Sequence, residues 1–536
     1  MRTIFRGYGV YKWNTHNNVQ WIGNIDQYQD LTDIMYRLSR IDNVNMLKDV
    51  LKEVKGSFSF VILIDEKYYL CTDIAKSFPL FFDTLHGLIS DSTEAMVGIN
   101  NNQINDTNFG AILASSYTLK GKTIYENICQ VSAGEIVVLD NTRIERTQYY
   151  RHLISSPNDC SIDELRVEFD NVLDCVFDDL IQSLHNKCVV LPLSGGYDSR
   201  LIAAALKKRG YTNVICYTYG IEKSGNEVQF SREVAKQLGF NWIFIEYTEH
   251  KWKQIINSDV INQYGDYASN GIVQPHLQEL IALEELKNNR LIPEDSVFIP
   301  GFSADLPAGS FIRPEVLDIE SLQGLTEYIY KYHYKQVKLD NKIEIDIKDD
   351  ILKQLSETDL LASKETIIKL NDYWVTMNRV SQYIINALRI YDFFGFEWRI
   401  PFWDMRFLNF FYSLDSEKRV ECNFYINYLF DGLFKEFSVD FRKPKIAIVR
   451  KKNDSSVKKI LLKAYDVFST IAYVKIGITT NPRHNINNYN YLSRILYEQL
   501  SNKHIMNTSF KGVMQMISLW WCENKYGSQQ ILKVEK

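Results

Sequence analysis

The chain has 536 residues, of which 46% are hydrophobic and 24% are charged, and its formal net charge is -5. This balance is typical of a folded protein and excludes an intrinsically disordered chain, while the length predicts more than one domain. The slightly acidic charge provides no basic field for a phosphate backbone, so a nucleic-acid partner is not expected.

The eight cysteines include no Cys-x-x-Cys pair, which argues against a zinc site and favours free thiols in a reducing compartment. The N-terminus lacks the apolar core of a signal peptide, and no run of about 18 apolar residues predicts a membrane span. We therefore expect a cytoplasmic protein without a membrane-spanning segment.

The first 150 or so residues form a β-rich region by their pattern. A buried-strand run covers residues 58–64, and a turn then leads into a second strand at 68–71, which together predict a hairpin. Another strand is predicted at 135–139. The polar stretch 154–161, with Pro and Asn, is interpreted as a linker.

After the linker, helices and strands alternate. The predicted elements are a helix at 163–185, a strand at 188–193, a helix at 199–208, a strand at 213–219, a helix at 227–238 and a strand at 242–247. Such alternation predicts a parallel sheet covered by helices. From about residue 320 onward the pattern is mostly helical.

The strongest motif is LSGGYDS at residues 193–199, which follows an apolar strand and opens a helix. A glycine pair there lets backbone N–H groups converge on an anion, and the helix N-terminus adds partial positive charge. Asp198 would repel bare phosphate, so its presence implies a divalent cation. The motif is not a Walker loop. The alternative is a serine-capped glycine turn, against which the order of strand, loop and helix argues.

The loop resembles the signature of the PP-loop ATP pyrophosphatases, in which it grips the phosphates that leave as pyrophosphate. Later segments resemble the asparagine synthetase branch in the same order along the chain. They are CYTYG at 216–220 with the helix that follows, PGFSAD at 300–305, EWRIPFWD at 397–404 and FRKPK at 441–445. Ordered segments from residue 193 to residue 445 are far more specific than one glycine loop.

The resemblance implies an α/β fold in two domains. Residues 1–152 would form a glutaminase-like, Ntn-type αββα sandwich. Residues 162–536 would form the PP-loop synthetase domain, with a parallel sheet of the adenine nucleotide α-hydrolase type and a helical C-terminal part. The family also implies a homodimer.

The resemblance further implies ATP and Mg²⁺ as cofactors and assigns residue roles. The positions matching ATP or pyrophosphate contacts are Leu193, Ser194, Gly195, Gly196, Asp198, Ser199, Tyr219, Pro300 and Gly301. Asp198 and Asp305 match the magnesium carboxylates. Lys445 matches the lysine that stabilises the charged transition state, and Lys443 is the alternative if the register slips. The alternative for this basic cluster is a solvated surface loop.

Three further positions are interpreted as structural or left open. Glu397 and Arg399 are expected to form a structural ion pair rather than to touch substrate. His276 could line the site, but a lone histidine is more often structural than catalytic.

The glutaminase-like region lacks its nucleophile. In the family the residue after the initiator Met is a cysteine that attacks glutamine, whereas here position 2 is Arg2 and the first 70 residues contain no cysteine. An arginine side chain is not a nucleophile. We therefore expect no glutamine hydrolysis, and a retained scaffold in its place.

Two departures argue against aspartate as the substrate. The two glutamates of the family's Gly-Glu-Gly-Ser-Asp-Glu segment are replaced by Phe302 and Leu306, and a charged stretch of the family reads LRIY at 388–391. A site for aspartate should keep polar partners for the amino and carboxylate groups.

The leading hypothesis is an AMP- and pyrophosphate-forming carbon–nitrogen ligase. Its partners would be a small-molecule or peptide carboxylate and an amine donor or ammonia. It resembles β-lactam synthetases, lasso-peptide cyclases and polysaccharide-cluster members, so the substrate would be a peptide or a uronic acid of a surface polysaccharide. The alternatives are a glutamine- or ammonia-dependent asparagine synthetase, a PP-loop enzyme that modifies nucleic-acid bases, and a non-catalytic binding protein. Both magnesium aspartates are present, which argues against the last.

Overall fold

The computed structural model describes residues 1–99, 103–140, 143–153, 160–221, 226–358, 363–442, 490–500 and 512–535. These residues form three β-sheets combined with helices, which confirms the predicted α/β class. Within these ranges no helix has the length and apolar character needed to cross a bilayer.

The N-terminal part is built on two sheets, with strand orders β1-β7-β6-β8 and β10-β9-β5-β4-β3-β2. The strands are β1 (Arg2–Ile4), β2 (Asn14–His16), β3 (Val19–Gly23), β4 (Phe58–Ile64), β5 (Lys67–Thr72), β6 (Phe81–Asp83), β7 (Leu88–Ser90), β8 (Cys129–Gln130), β9 (Glu135–Leu139) and β10 (Ile144–Gln148). Val61, Leu70 and Val137 of the larger sheet pack against Phe82 and Ile89 of the smaller one. The two sheets therefore stack face to face.

Four helices accompany these sheets: α1 (Thr32–Leu38), α2 (Val44–Glu53), α3 (Thr93–Val97) and α4 (Asp106–Ser115). The predicted hairpin is confirmed, because β4 and β5 pair antiparallel along their length. Its turn is made by Asp65 and Glu66, whose φ angles of 47° and 63° are left-handed. The predicted strand at 135–139 is also present as β9.

The C-terminal part contains a five-stranded sheet in the order β13-β12-β11-β14-β15, all of whose neighbouring strands are parallel. The strands are β11 (Val189–Pro192), β12 (Val214–Gly220), β13 (Asn241–Glu246), β14 (Val297–Phe298) and β15 (Glu397–Trp398). Each strand and helix predicted between residues 163 and 247 is observed, with both boundaries within two residues of the predicted ones. The predicted parallel sheet is therefore confirmed.

Helices cover this sheet and continue beyond it. They are α5 (Ile162–Leu184), α6 (Asp198–Lys208), α7 (Asn226–Leu238), α8 (Glu249–Ile256), α9 (Asp259–Ser269), α10 (Leu280–Asn288), α11 (Asp305–Ala308), α12 (Pro314–Leu317), α13 (Leu322–His333), α14 (Asn341–Ser356), α15 (Lys364–Val375), α16 (Arg389–Phe393), α17 (Met405–Tyr412), α18 (Ser416–Arg419), α19 (Asn423–Asp431), α20 (Leu433–Glu436), α21 (Asn490–Gln499), α22 (Val513–Tyr526) and α23 (Ser528–Val534). Helix α15 runs on into a π-helix (Thr376–Ile384) and a 3₁₀ turn (Ile385–Leu388) before α16.

The buried side chain of Arg389 contacts both the N-terminal and the C-terminal part of the chain. Arg389 is 1% exposed, pairs with Asp392 at 2.9 Å and donates to the carbonyl oxygen of Ser77 at 2.9 Å. Its guanidinium also lies 4.2 Å from the ring centroid of Tyr8. Because Ser77 and Tyr8 belong to the N-terminal part, one buried charge is satisfied partly across the contact.

Candidate active site

A cavity of about 580 Å³ opens where β11, β12 and β14 end. Its walls come from the π-helix with the turn after it and from residues 192–194, 196–199, 217–219, 227, 276, 278, 279, 300–303, 305, 306 and 311. In open parallel sheets, ligands bind outside the carboxyl ends of the strands, and a concave site of this size suits a small molecule.

The LSGGYDS loop at residues 193–199, called the phosphate loop below, follows the C-terminal end of β11. Hydrogen bonds connect it to the neighbouring strand and join residues within it. The hydroxyl of Thr218 donates to the carbonyl oxygen of Leu193 at 2.6 Å. The backbone N–H of Ser194 donates to Oγ of Ser199 at 3.2 Å, and that of Gly196 donates to Oγ of Ser194 at 3.0 Å. The two serine hydroxyls therefore shape the loop, and α6 begins immediately after it with N–H groups that lack intrahelical partners.

Gly301 allows the loop after β14 to pass directly over the start of α6. A Cβ at Gly301 would lie 2.6 Å from the backbone nitrogen of Ser199 and 3.0 Å from its Cα, closer than real Cβ contacts. This backbone-to-backbone approach requires a glycine. It also brings Asp305, at the start of α11, beside Asp198, at the start of α6.

Both oxygens of the Asp198 carboxylate accept hydrogen bonds. The hydroxyl of Tyr425 donates to Oδ1 at 3.0 Å, and the backbone N–H of Asp305 donates to Oδ2 at 3.3 Å. Loss of hydration raises the pKa of Asp198 well above its usual value, and the negative charge of Asp305 raises it further. Loss of hydration also raises the pKa of Asp305. Two carboxyl groups that disfavour each other's charge are a natural place for a cation.

The acid pair fits Mg²⁺ by its donor chemistry. Among the described residues, no group of three or more His, Cys, Asp or Glu side chains is arranged to hold a metal. Mg²⁺ commonly takes only one or two carboxylates from a protein and completes its shell with phosphate oxygens and water. Asp198 and Asp305 supply that number of hard oxygen ligands.

All but one of the predicted nucleotide contacts line this cavity. Those that do are Leu193, Ser194, Gly196, Asp198, Ser199, Tyr219, Pro300 and Gly301. Tyr219 stacks on Tyr247 at 5.0 Å with an interplanar angle of 14°, so its ring is held at the wall. Gly195 faces away, and its carbonyl oxygen accepts from Nη2 of Arg200 at 3.4 Å.

Arg200 connects the phosphate loop to a distant part of the chain. It is buried, and its Nη1 donates to the carbonyl oxygens of Val439 at 2.9 Å and Phe441 at 3.0 Å. Burial lowers the pKa of Arg200 to about 10. The described segment here ends at residue 442, so Lys443 and Lys445 lie outside the described residues and their assigned role stays a prediction.

The wall across from the phosphate loop is largely apolar. It includes Phe302 and Leu306, which stand where the resembling segment of the asparagine synthetase branch has glutamates, together with Phe311, Val380 and Ile384. Ala387 is the last residue in sequence that lines the cavity, and the stretch 388–391 is not part of the lining.

Polar side chains also line the cavity, among them His276, Glu279 and Arg379. His276 is held neutral, because burial lowers its pKa to about 4. Glu279 accepts hydrogen bonds from the hydroxyls of Tyr217 and Tyr391, and burial raises its pKa. Arg379 of the π-helix is half-buried. Glu397 and Arg399, in contrast, form an ion pair of 2.8 Å at β15, as expected.

Sequence reasoning did not single out Arg200, Glu279, Arg379 or Tyr425. Arg200 leaves a local signal, because it is a charged residue next to the apolar run 201–206 of α6. Glu279 leaves none, because it precedes α10 in a stretch that contains other polar residues. Tyr425 leaves none, since it lies 227 residues from Asp198 along the chain.

The comparisons with known proteins concern the centre of this site. Residues 186–266 match the family model described as asparagine synthase. No curated protein matches the chain. The matched segment contains β11, the phosphate loop and α6, so the family match covers the part of the cavity that carries Asp198.

Proposed function

We propose that this protein is an ATP-dependent ligase that activates a carboxylate as an acyl-adenylate and passes the acyl group to an amine. A carboxylate oxygen forms a bond to the α-phosphorus of ATP, and the bond from that phosphorus to the bridging oxygen breaks, so pyrophosphate leaves. The amine nitrogen then attacks the acyl carbon, the carbon–oxygen bond to AMP breaks, and the nitrogen loses a proton. The products are an amide, AMP and pyrophosphate.

The observation that carries the proposal is the meeting of the phosphate loop with the Asp198–Asp305 pair in one cavity. The family-model match over residues 186–266 covers the loop and Asp198, and Asp305 lies beyond it. The loop and the start of α6 would hold the phosphates, and Tyr219 would contact adenosine. Mg²⁺ on the two aspartates would neutralise charge on the departing pyrophosphate. Lys445, or Lys443 if the register slips, would stabilise the transition state.

The chain would not generate ammonia from glutamine, so the amine would be supplied as free ammonia or by a second substrate. Arg2 occupies the position of the glutaminase nucleophile, so we propose that residues 1–152 serve as a scaffold for a synthetase region at 162–536. The contact through Arg389 and Ser77 supports that role. The cytoplasmic location and the homodimer stay predictions from the sequence.

The apolar wall supports an acid other than aspartate. Phe302 and Leu306 lie in the cavity wall, where they offer no partner for a charged amino group. A uronic acid or a peptide acid is the proposed substrate class. Asparagine synthetase and a base-modifying PP-loop enzyme are the alternatives, and the acidic net charge disfavours the second.

The test is release of pyrophosphate and AMP from Mg·ATP against a panel of carboxylates, each with ammonia and without it. The panel contains aspartate, free uronic acids, nucleotide-linked uronic acids and carboxyl-bearing peptides. Release that depends on one acid supports adenylation and identifies the substrate class. Formation of ADP and phosphate in place of AMP and pyrophosphate contradicts the mechanism.

A further inference from the structure

The π-helix over the cavity is an uncommon structure that the fold maintains with contacts from both parts of the chain. It spans Thr376–Ile384, and π-helical turns occur frequently at functional sites. The backbone N–H of Lys120 donates to Oδ1 of Asn378 at 2.8 Å, and the amine of Lys76 donates to Gln382. Residues of the N-terminal part thus form hydrogen bonds with the π-helix on either side of Arg379.

Arg379 is the cation that this π-helix presents to the cavity. Among the described residues no Asp or Glu forms an ion pair with it, and its neighbour is the hydroxyl of Tyr117. The adjacent His333 does not supply negative charge either. Burial, followed by the positive charges of Arg379, Lys335 and Arg313, lowers the pKa of His333 to about 3.

A half-buried guanidinium without an anion is costly, and the cost is recovered when a ligand supplies the anion. Guanidinium groups match carboxylates with paired, charge-assisted hydrogen bonds. Of the cavity's acids, Asp198 and Asp305 are assigned to a cation, and Glu279 accepts hydrogen bonds from Tyr217 and Tyr391. Among the described residues, Glu227 also lines the cavity and forms no ion pair with Arg379. The anion that pairs with Arg379 must therefore arrive with a ligand.

We propose that Arg379 binds a carboxylate of the acid that the enzyme activates, and that Phe302, Phe311, Val380 and Ile384 contact the body of that acid. The inference rests on the proposed function, because it takes the bound acid to be the substrate of adenylation. It adds the substrate class, which is an organic acid with a bulky apolar or ring-shaped body. It also predicts that the amide product is held less tightly, because an amide lacks the negative charge that would pair with Arg379.

The experiment measures binding without chemistry. The full chain is saturated with Mg²⁺ and α,β-methylene-ATP, which resists cleavage between the α- and β-phosphates. Benzoate is then titrated by calorimetry beside benzamide, and galacturonate beside galacturonamide. At least one acid should bind the unmodified protein about tenfold or more tightly than its amide, the range expected for a charge-assisted pair.

Three variants assign the preference to its residue. Arg379→Gln should abolish the preference for the acid, and Arg379→Lys should restore part of it. Arg313→Gln is the matched control, because it removes a positive charge near His333 without changing the cavity wall, and it should keep the preference. Unchanged binding of the nucleotide analogue shows that each variant is folded.

Equal binding of acid and amide in both pairs, or a preference that survives Arg379→Gln, overturns the inference. The proposed function fails separately. If acids bind through Arg379 while no carboxylate elicits pyrophosphate release, the ligase assignment is wrong and the anion site stands. If pyrophosphate release occurs and Arg379→Gln leaves the KM for the acid unchanged, the ligase assignment stands and the anion site is wrong.

Discussion

The hydroxyl of Tyr425 and the carboxylate of Asp198 form a hydrogen bond of 3.0 Å that joins α19 to the start of α6. The other oxygen of the same carboxylate is held by the backbone of Asp305. The bond from Tyr425 fixes the direction in which Asp198 faces the cavity. A tyrosine outside every recognised motif therefore orients a proposed magnesium ligand.

Removing that hydroxyl should weaken nucleotide binding that depends on Mg²⁺. We expect Tyr425→Phe to raise the Kd of Mg·α,β-methylene-ATP about tenfold, since a hydrogen bond to a charged group is worth about 1.5–3 kcal/mol. Asp198→Asn should abolish the magnesium dependence. Tyr428→Phe is the control on the same helix, because its hydroxyl bonds to Asp170 instead. An unaltered Kd in Tyr425→Phe would show that the bond does not orient the ligand.

A methyl group at Gly301 should damage the same site by a steric route. Gly301→Ala places Cβ against the backbone of Ser199, so the start of α6 or the loop must shift, at a cost of about 1–3 kcal/mol in the free energy of unfolding. Nucleotide binding should weaken at least as much. Gly98→Ala is the control, because its Cβ would meet its nearest atom at 3.4 Å. Thermal unfolding and calorimetric titration measure the two effects, and equal behaviour of both variants would contradict this account.

Buried histidines should make the protein sensitive to acid. Burial lowers the pKa of His152 to about 4, its Nε2–H donates to the carbonyl oxygen of Ile74, and Nδ1 has no acceptor for a second proton. Unfolded His152 takes a proton near pH 6.5, whereas the folded side chain resists until about pH 4. The free energy of unfolding should therefore fall as pH falls through this window, by about 3 kcal/mol from this group.

His152→Phe should flatten that dependence. Its ring can remain among Tyr150, Trp403 and Tyr412, although the bond to Ile74 is lost. Urea unfolding at several pH values between 4 and 6.5 measures the slope. His16→Gln, at an exposed position, should leave the slope unchanged. A slope in His152→Phe equal to that of the unmodified protein would refute the assignment.

Glutamine should not serve as the amine donor. Arg2 lies in β1, and its backbone N–H donates to the carbonyl oxygen of Gly87 at 2.7 Å, so the residue is an ordinary strand position. Incubation with glutamine should release no glutamate above a blank, whereas ammonia should support amide formation with the correct acid. Release in proportion to protein concentration would mean that another nucleophile acts in the N-terminal part.

Substitution of Lys445 should lower the rate of pyrophosphate release more than substitution of Lys443. We expect Lys445→Ala to lower kcat for pyrophosphate release by about a hundredfold or more, because it would remove the charge proposed to stabilise the transition state, while nucleotide binding changes little. Lys443→Ala should have a smaller effect. The reverse order would place the catalytic lysine at Lys443, and no effect in either variant would favour a solvated surface loop.

The sequence predicts those features whose signals are local. The apolar run before Leu193, the glycine pair and the helix pattern after Ser199 together specify strand, loop and helix, and the structure confirms that order. The hairpin of β4 and β5 is local in the same sense.

Long-range contacts leave no such signal. Strand β15 has only two residues, and its pairing with β14 joins Glu397 to Val297, so no periodicity predicts it. Nothing in the pattern of residues 376–384 distinguishes a π-helix from an α-helix. Its contacts with Lys76 and Lys120 of the N-terminal part are distant in sequence. The polar partners of the cavity likewise depend on tertiary packing.

The burial of Arg389 constrains how this sequence can evolve. Its guanidinium is enclosed partly by Ser77 and Tyr8, so removal of the N-terminal part would leave a charged side chain and an aromatic surface facing water on the C-terminal part. If glutamine hydrolysis is absent, as proposed, the N-terminal part would still be needed for this packing. Selection would then continue to act on the residues around Arg389 after it had ceased to act on the position that Arg2 occupies.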